Sequence, residues 1–200
     1  MSSKEAKAIA RELKTQVIVL GGFIALIWTL ELVDLLFLGG GLDAYGIIPR
    51  RIIGLRGILF APFLHGGLAH LAANTIPFLT LSWLIMLRET RDWFVVTAVT
   101  MLISGLGTWL IASANTIHIG ASGLVFGYLG FLLLRGYFER SATAILFSLI
   151  VGLLYGGLIW GVLPLHYGVS WQGHLFGFIG GGLAARLLAR RKRGSSNFSL

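Results

Sequence analysis

Long apolar runs separated by short polar ones organise this chain. After an opening segment, residues 1–15, in which Lys4, Lys7, Arg11 and Lys14 punctuate an amphipathic stretch, an apolar run occupies about residues 17–38. Five more follow near 66–87, 93–113, 122–138, 143–163 and 171–189. A helix needs about 20 residues to cross a hydrocarbon core of roughly 30 Å, and lipid offers the backbone no outside partner, so helices are expected. The pattern therefore predicts an all-α membrane protein with six transmembrane helices. One connection breaks the rhythm: residues 39–65 are too long for a turn between neighbouring spans, carry Arg50, Arg51 and Arg56, and include an apolar piece at 58–64. That segment reads as a structured first loop embedded in the membrane interface. The expected organisation is an amphipathic N-terminal segment (1–15), a membrane domain (16–190) and a basic tail (191–200).

Composition narrows the class further. Apolar residues make up 56% and charged residues only 12% of the chain, a balance unlike that of a soluble domain. The charged opening and the long run after it do not match a cleaved signal peptide. Cysteine is absent, which excludes disulfides, thiolate metal sites and thiol nucleophiles. The net charge of +8 is spread between the apolar runs rather than gathered on one face, so it marks orientation and not nucleic-acid binding. Lys and Arg recur at the N-terminus, at Arg88 and Arg91, at Arg135 and Arg140, and in the tail, whereas loops 115–119 and 165–170 have neither. Both termini are expected in the cytoplasm, with the chain a multi-pass protein of the cell membrane.

Polar groups inside apolar spans are costly, and each invites a functional reading. His65, His70, Asn74, Ser122 and His174 stand out. In HLAAN, His70 and Asn74 are four residues apart and share one helix face. The segment GASGLVFGYLG sets Ser122 between Gly120 and Gly123 at the start of an apolar run, where free amides at a helix N-terminus can receive a developing negative charge. An isolated GxSG is also what plain helix packing produces. The last span adds a constraint: in WQGHLFGFIGG, Gly173, Gly177 and Gly181 recur every fourth residue beside His174. Gly123, Gly127 and Gly130 offer a matching surface, so the two helices can approach until the imidazole reaches the hydroxyl. A neutral histidine would then take the proton that makes serine a nucleophile. No acid lies in the late spans to orient His174, so a full triad is not expected; Phe126, one turn after Ser122, could hold the ring by stacking. His70, Asn74 and the Ser122 backbone amide are the candidate oxyanion donors.

Other polar residues read as structural. His65 is expected to support the loop, and His118 and His166 to lie on the surface. Glu31 and Asp34 are expected to be solvated at the interface. HGGLAH spaces its histidines by five and contains no glutamate, unlike a zinc-binding HExxH helix, so neither a metal nor a cofactor is expected.

Three motifs in order, LRGILFAPFLHGGLAHLAAN, GASGLVFG and GHLFGFIGG, make the chain resemble the rhomboid family of intramembrane serine proteases, in its basic six-helix prokaryotic form. The resemblance covers about the C-terminal two-thirds. It implies that Ser122 is the nucleophile, His174 the general base, His70 and Asn74 oxyanion donors, and His65 a loop anchor. It also implies that Arg56 is the arginine of a Trp-Arg pair whose tryptophan is replaced by Leu55. The activity implied is hydrolysis of a peptide bond in or near a substrate's transmembrane helix, through an acyl-enzyme. A non-proteolytic rhomboid-like protein that binds transmembrane helices is the alternative.

Overall fold

A computed structural model describes residues 2–165 and 168–196, the last six by backbone alone. Nearly all of the described residues that form regular structure are helical; the exception is an isolated antiparallel bridge between Ile47 and His118. Helix α1 (Ser3–Val33) opens on a reciprocal cap in which Ser2 Oγ accepts the Glu5 amide at 3.2 Å and the Glu5 carboxylate accepts the Ser2 amide at 2.6 Å. It runs without interruption from the amphipathic opening into the first apolar run and is prolonged by a π-turn at Asp34–Leu38. Its buried residues Gln16, Leu20, Ile27 and Glu31 follow helical spacing. Gln16 Nε2 donates to the Met86 carbonyl at 3.1 Å, tying α1 to a later hairpin.

The first loop is built of short turns: 3-10 segments Gly41–Tyr45 and Ile52–Arg56, the one-turn helix α2 (Gly57–Phe60), and a 3-10 turn Ala61–Phe63. Then come α3 (Leu68–Met86), α4 (Thr90–Ile111), α5 (Ser122–Glu139), α6 (Ala142–Tyr155, prolonged by a 3-10 segment Gly156–Val162) and α7 (Trp171–Ser196).

Four described stretches are long and apolar enough to cross a membrane: Ser3–Leu38, Leu68–Met86, Thr90–Ile111 and Ala142–Val162. Helices α5 and α7 fall outside that set for a structural reason. α5 is packed against α3, α4, α6 and α7 and buries every residue from Leu124 to Leu132. A helix enclosed by protein has little lipid to satisfy, and close neighbours require small residues that dilute its hydropathy. The opposite case is α6, whose Leu153 is 87% exposed.

The α5–α7 seam is backbone on backbone. A Cβ at Gly177 would overlap the Gly123 carbonyl, and one at Gly181 would overlap that of Gly127. Gly173 is turned differently: Thr108 and Ser170 lie nearest its Cβ position, and its carbonyl accepts Ser104 Oγ at 2.8 Å. The expected glycine face thus splits between two partners, because α7 packs on α4 as well as α5.

Three expectations need correction. Glu31 and Asp34 are buried rather than solvated, and Asp34 Oδ1 accepts the Leu42 amide at 2.9 Å. Arg135 belongs to α5 and not to a loop. Buried there, it pairs with Asp92 at 3.3 Å and Glu139 at 2.8 Å, and Glu139 also pairs with Arg88, so partners replace the water it loses. His118 is half-buried and bonded, as described below. His166 lies outside the described residues, as do the side chains of the basic tail.

Candidate active site

Ser122 is the first residue of α5, where the leading amides have no carbonyl in a preceding turn. The turn before it is held by the first loop. Gly120, at φ +114°, donates its amide to the Ala61 carbonyl at 2.8 Å, and Ala121 donates to His65 Nε2 at 3.3 Å. No other residue suits position 120. Its conformation is disfavoured for a residue with a Cβ, and a Cβ there would stand 2.8 Å from His70 Nε2.

His174 enters from the first turn of α7. Its Nε2 is 2.9 Å from Ser122 Oγ and its Nδ1 is 2.9 Å from the Gly161 carbonyl. A carbonyl only accepts, so Nδ1 carries the proton and Nε2 is left bare to accept from the serine. Phe126 lies flat on the imidazole, with centroids 4.0 Å apart and planes 6° apart, and His174 is only 7% exposed. The ring is thus fixed in position and tautomer without a carboxylate. Gly161 was not among the expected site residues. Its contribution is a main-chain oxygen, and the only side-chain trace is its being glycine, since a Cβ would meet Phe126 Cζ at 2.6 Å.

His70 and Asn74 converge from α3. The Gly66 amide points at His70 Nδ1 at 3.4 Å, which leaves Nε2 as the protonated nitrogen, the one beside Gly120. Asn74 Nδ2 is buried and has no hydrogen-bond partner, and it lies 3.7 Å from the Cβ position of Gly120. Two N–H donors therefore face the turn that carries Ser122. An unpaired buried donor costs free energy in the resting state, which an anion arriving there would relieve.

His65 is 2% exposed and stands edge-on to His70 at 5.1 Å between centroids. Burial, then the neighbouring His70, pushes its pKa down to about 3, so it is the neutral acceptor that the Ala121 amide needs. His118 is likewise kept below its ordinary pKa by burial. Its Nε2 is 2.8 Å from Thr116 Oγ1 and its Nδ1 is 2.7 Å from Ser170 Oγ, while its backbone pairs with Ile47. It thereby joins the first loop, the α4–α5 connection and the foot of α7. Arg56 lies over the Tyr45 ring at 4.3 Å and donates Nη2 to the Ala44 carbonyl at 3.0 Å. Among the described residues no group of three or more potential ligands could hold a metal.

A cavity of about 40 Å³ adjoins Ser122, lined in part by Ser104, Thr108, Ser170 and Gly173. Thr108 Oγ1 is buried with no protein partner. The space exceeds the roughly 10–15 Å³ one water needs, and its lining is polar enough to hold one.

An uncharacterized protein of Mycobacterium tuberculosis is 45% identical over 179 residues, covering 86% of this chain and 74% of its own. RHOMBOID-like protein 4 of Arabidopsis thaliana is 34% identical over 154 residues, covering 70% of this chain and 37% of its own. The family model for the rhomboid domain matches residues 54–191, a stretch that runs from the first loop into α7 and contains Ser122, His174, His70 and Asn74. By its sequence, the chain belongs to the rhomboid family.

Proposed function

We propose that the chain is an intramembrane serine endopeptidase that cleaves transmembrane substrates near the outer membrane face. The observation that carries this reading is the 2.9 Å contact between Ser122 Oγ and a His174 whose Nδ1 is occupied by the Gly161 carbonyl. In this reading all six long helices cross the bilayer, both termini are cytoplasmic, and the first loop lies in the outer interface.

The chemistry follows from the positions of the protons. His174 Nε2 takes the hydroxyl proton as Ser122 Oγ attacks the scissile carbonyl carbon. The oxygen that becomes negative accepts from His70 Nε2–H, Asn74 Nδ2–H and the Ser122 amide. As the C–N bond breaks, the protonated His174 returns its proton to the leaving amine, leaving an ester on Ser122. Water then repeats the sequence, with His174 accepting its proton, and the cavity beside Thr108 is a place for that water to wait. No cofactor enters any step.

A peptide bond inside an intact helix is shielded by neighbouring turns and side chains, so substrates must unwind locally. Glycine or proline near the outer face lowers that cost. The test is cleavage of a transmembrane peptide in liposomes followed by mass spectrometry of the products. Cleavage by wild type and none by Ser122→Ala supports the reading; undiminished cleavage by Ser122→Ala sinks it. Labelling of Ser122 by a fluorophosphonate separates an active protease from a non-proteolytic helix-binding relative.

A further inference from the structure

The outer part of α1 and the first loop enclose a groove of about 420 Å³ that the proposed chemistry does not use, walled by Leu26, Leu30, Tyr45, Phe60 and Phe63 among other apolar residues. Every lining residue is apolar or aromatic. At one wall stands a cation without a counter-ion. The Arg56 guanidinium lies 4.3 Å over Tyr45, itself a wall residue, and donates once, to the Ala44 carbonyl. Its Nε is buried with no partner, and it forms no ion pair among the described residues. The loop acid Asp43 forms no ion pair with it among the described residues, and burial, then the neighbouring Asp34, holds the Asp43 carboxyl above its ordinary value. The neighbouring Arg50 is already committed, capping the end of α4 through the carbonyls of Leu110 and Ala112 at 3.1 and 2.7 Å.

We propose that this groove binds an anionic phospholipid, with an acyl chain between α1 and the first loop and the phosphate on Arg56. An apolar trough beside an unneutralised guanidinium has the same division as the lipid: hydrocarbon at one end, and at the other a phosphate that planar N–H donors grip well. A zwitterionic headgroup brings its own cation toward Arg56; an anionic one does not. The lipid would also brace the loop that holds Ser122 in place, because Ala61, whose carbonyl fixes the Gly120 amide, sits between the wall residues Phe60 and Phe63.

The full chain, purified in a neutral detergent, is mixed with phosphatidylglycerol, with phosphatidylcholine of the same chains, or with inorganic phosphate, and bound species are counted by native mass spectrometry. Phosphatidylglycerol is expected to be retained several-fold more than phosphatidylcholine, with no phosphate adduct. Arg56→Gln is expected to abolish that preference. Leu26→Trp, at a position 46% exposed, should fill the trough and lower retention of both lipids with Arg56 intact, so the test survives if Arg56→Gln fails to fold. Equal retention of the two lipids by wild type, an adduct with phosphate alone, retention unchanged by Leu26→Trp, or displacement of the lipid by a transmembrane substrate peptide would each overturn the proposal. The lipid readout needs no proteolysis, so its failure and that of the protease reading are separate results.

Discussion

Two seams meet at Ser122, and they are held by opposite means. Between α5 and α7 the contact is made by what is missing: at Gly177 and Gly181 the absent side chains let one backbone rest on the other. Between α3, the first loop and the turn before α5, it is made by polar groups: His65 accepts from Ala121, Ala61 accepts from Gly120, and Gly66 donates to His70. The first seam should be sensitive to added volume and the second to removed hydrogen-bonding groups. The difference also divides the labour proposed for the site. The close-packed seam delivers the nucleophile and base, and the polar seam delivers the oxyanion donors.

The sharpest test of this division removes the chemistry from the close-packed seam. Ser122→Ala or His174→Ala is expected to lower cleavage by at least ~10³-fold, since a serine nucleophile and its base fail as a unit; turnover of a transmembrane peptide in liposomes measures it. Next come the donors of the polar seam. Asn74→Ala should cost about 10²-fold in kcat with smaller change in KM, as for loss of one oxyanion donor, while fluorophosphonate labelling shows whether Ser122 is still present and accessible. If Asn74→Ala changed KM alone, the polar seam would be a substrate contact and not an oxyanion site.

Packing comes third. Gly181→Ala puts a methyl against the Gly127 carbonyl and should destabilise the protein by about 1–3 kcal/mol, the usual cost of overpacking, read from thermal unfolding in detergent. Leu153→Ala, on the lipid-facing side of α6, should change the same melting curve by less than about 0.5 kcal/mol. Similar losses at the two positions would refute the contrast between enclosed and lipid-facing helices.

Acid probes the polar seam more gently. His65 is held down to about 3 and His118 is lowered by burial, whereas in the unfolded chain both titrate near 6.5. The unfolded state therefore takes up protons first as pH falls. Stability from these groups is complete above about 6.5 and declines as pH drops toward 3. The apparent melting temperature should fall across that range, and His65→Gln, which keeps an acceptor but cannot titrate, should flatten the decline.

How much of this could be read from residues alone depends on whether a group leaves a side-chain signature. The helices containing Ile27, Leu81 and Val151 announce themselves by hydropathy, because lipid selects for long apolar runs. Ser122, His174, His70 and Asn74 stand out because polar side chains are rare in such runs, and structure brings the histidines and the asparagine to the turn carrying Ser122. Glu31, Asp34 and Arg135 misled for the same reason in reverse. A charge near the end of an apolar run looks solvated, and only packing reveals the burial of Glu31, the Leu42 amide that meets Asp34 or the Asp92 carboxylate that meets Arg135.

Residue pattern alone carried the all-helical membrane character, the family and the polar residues that cluster around Ser122. Tertiary structure decided that α5 is enclosed while α6 faces outward, that Gly173 turns to α4 while Gly177 and Gly181 meet α5, and that the Gly161 carbonyl sets the tautomer of His174. The physical reason is common to all three. Main-chain carbonyls and amides are the same at every residue, so which of them meets a given side chain is fixed only when the helices pack.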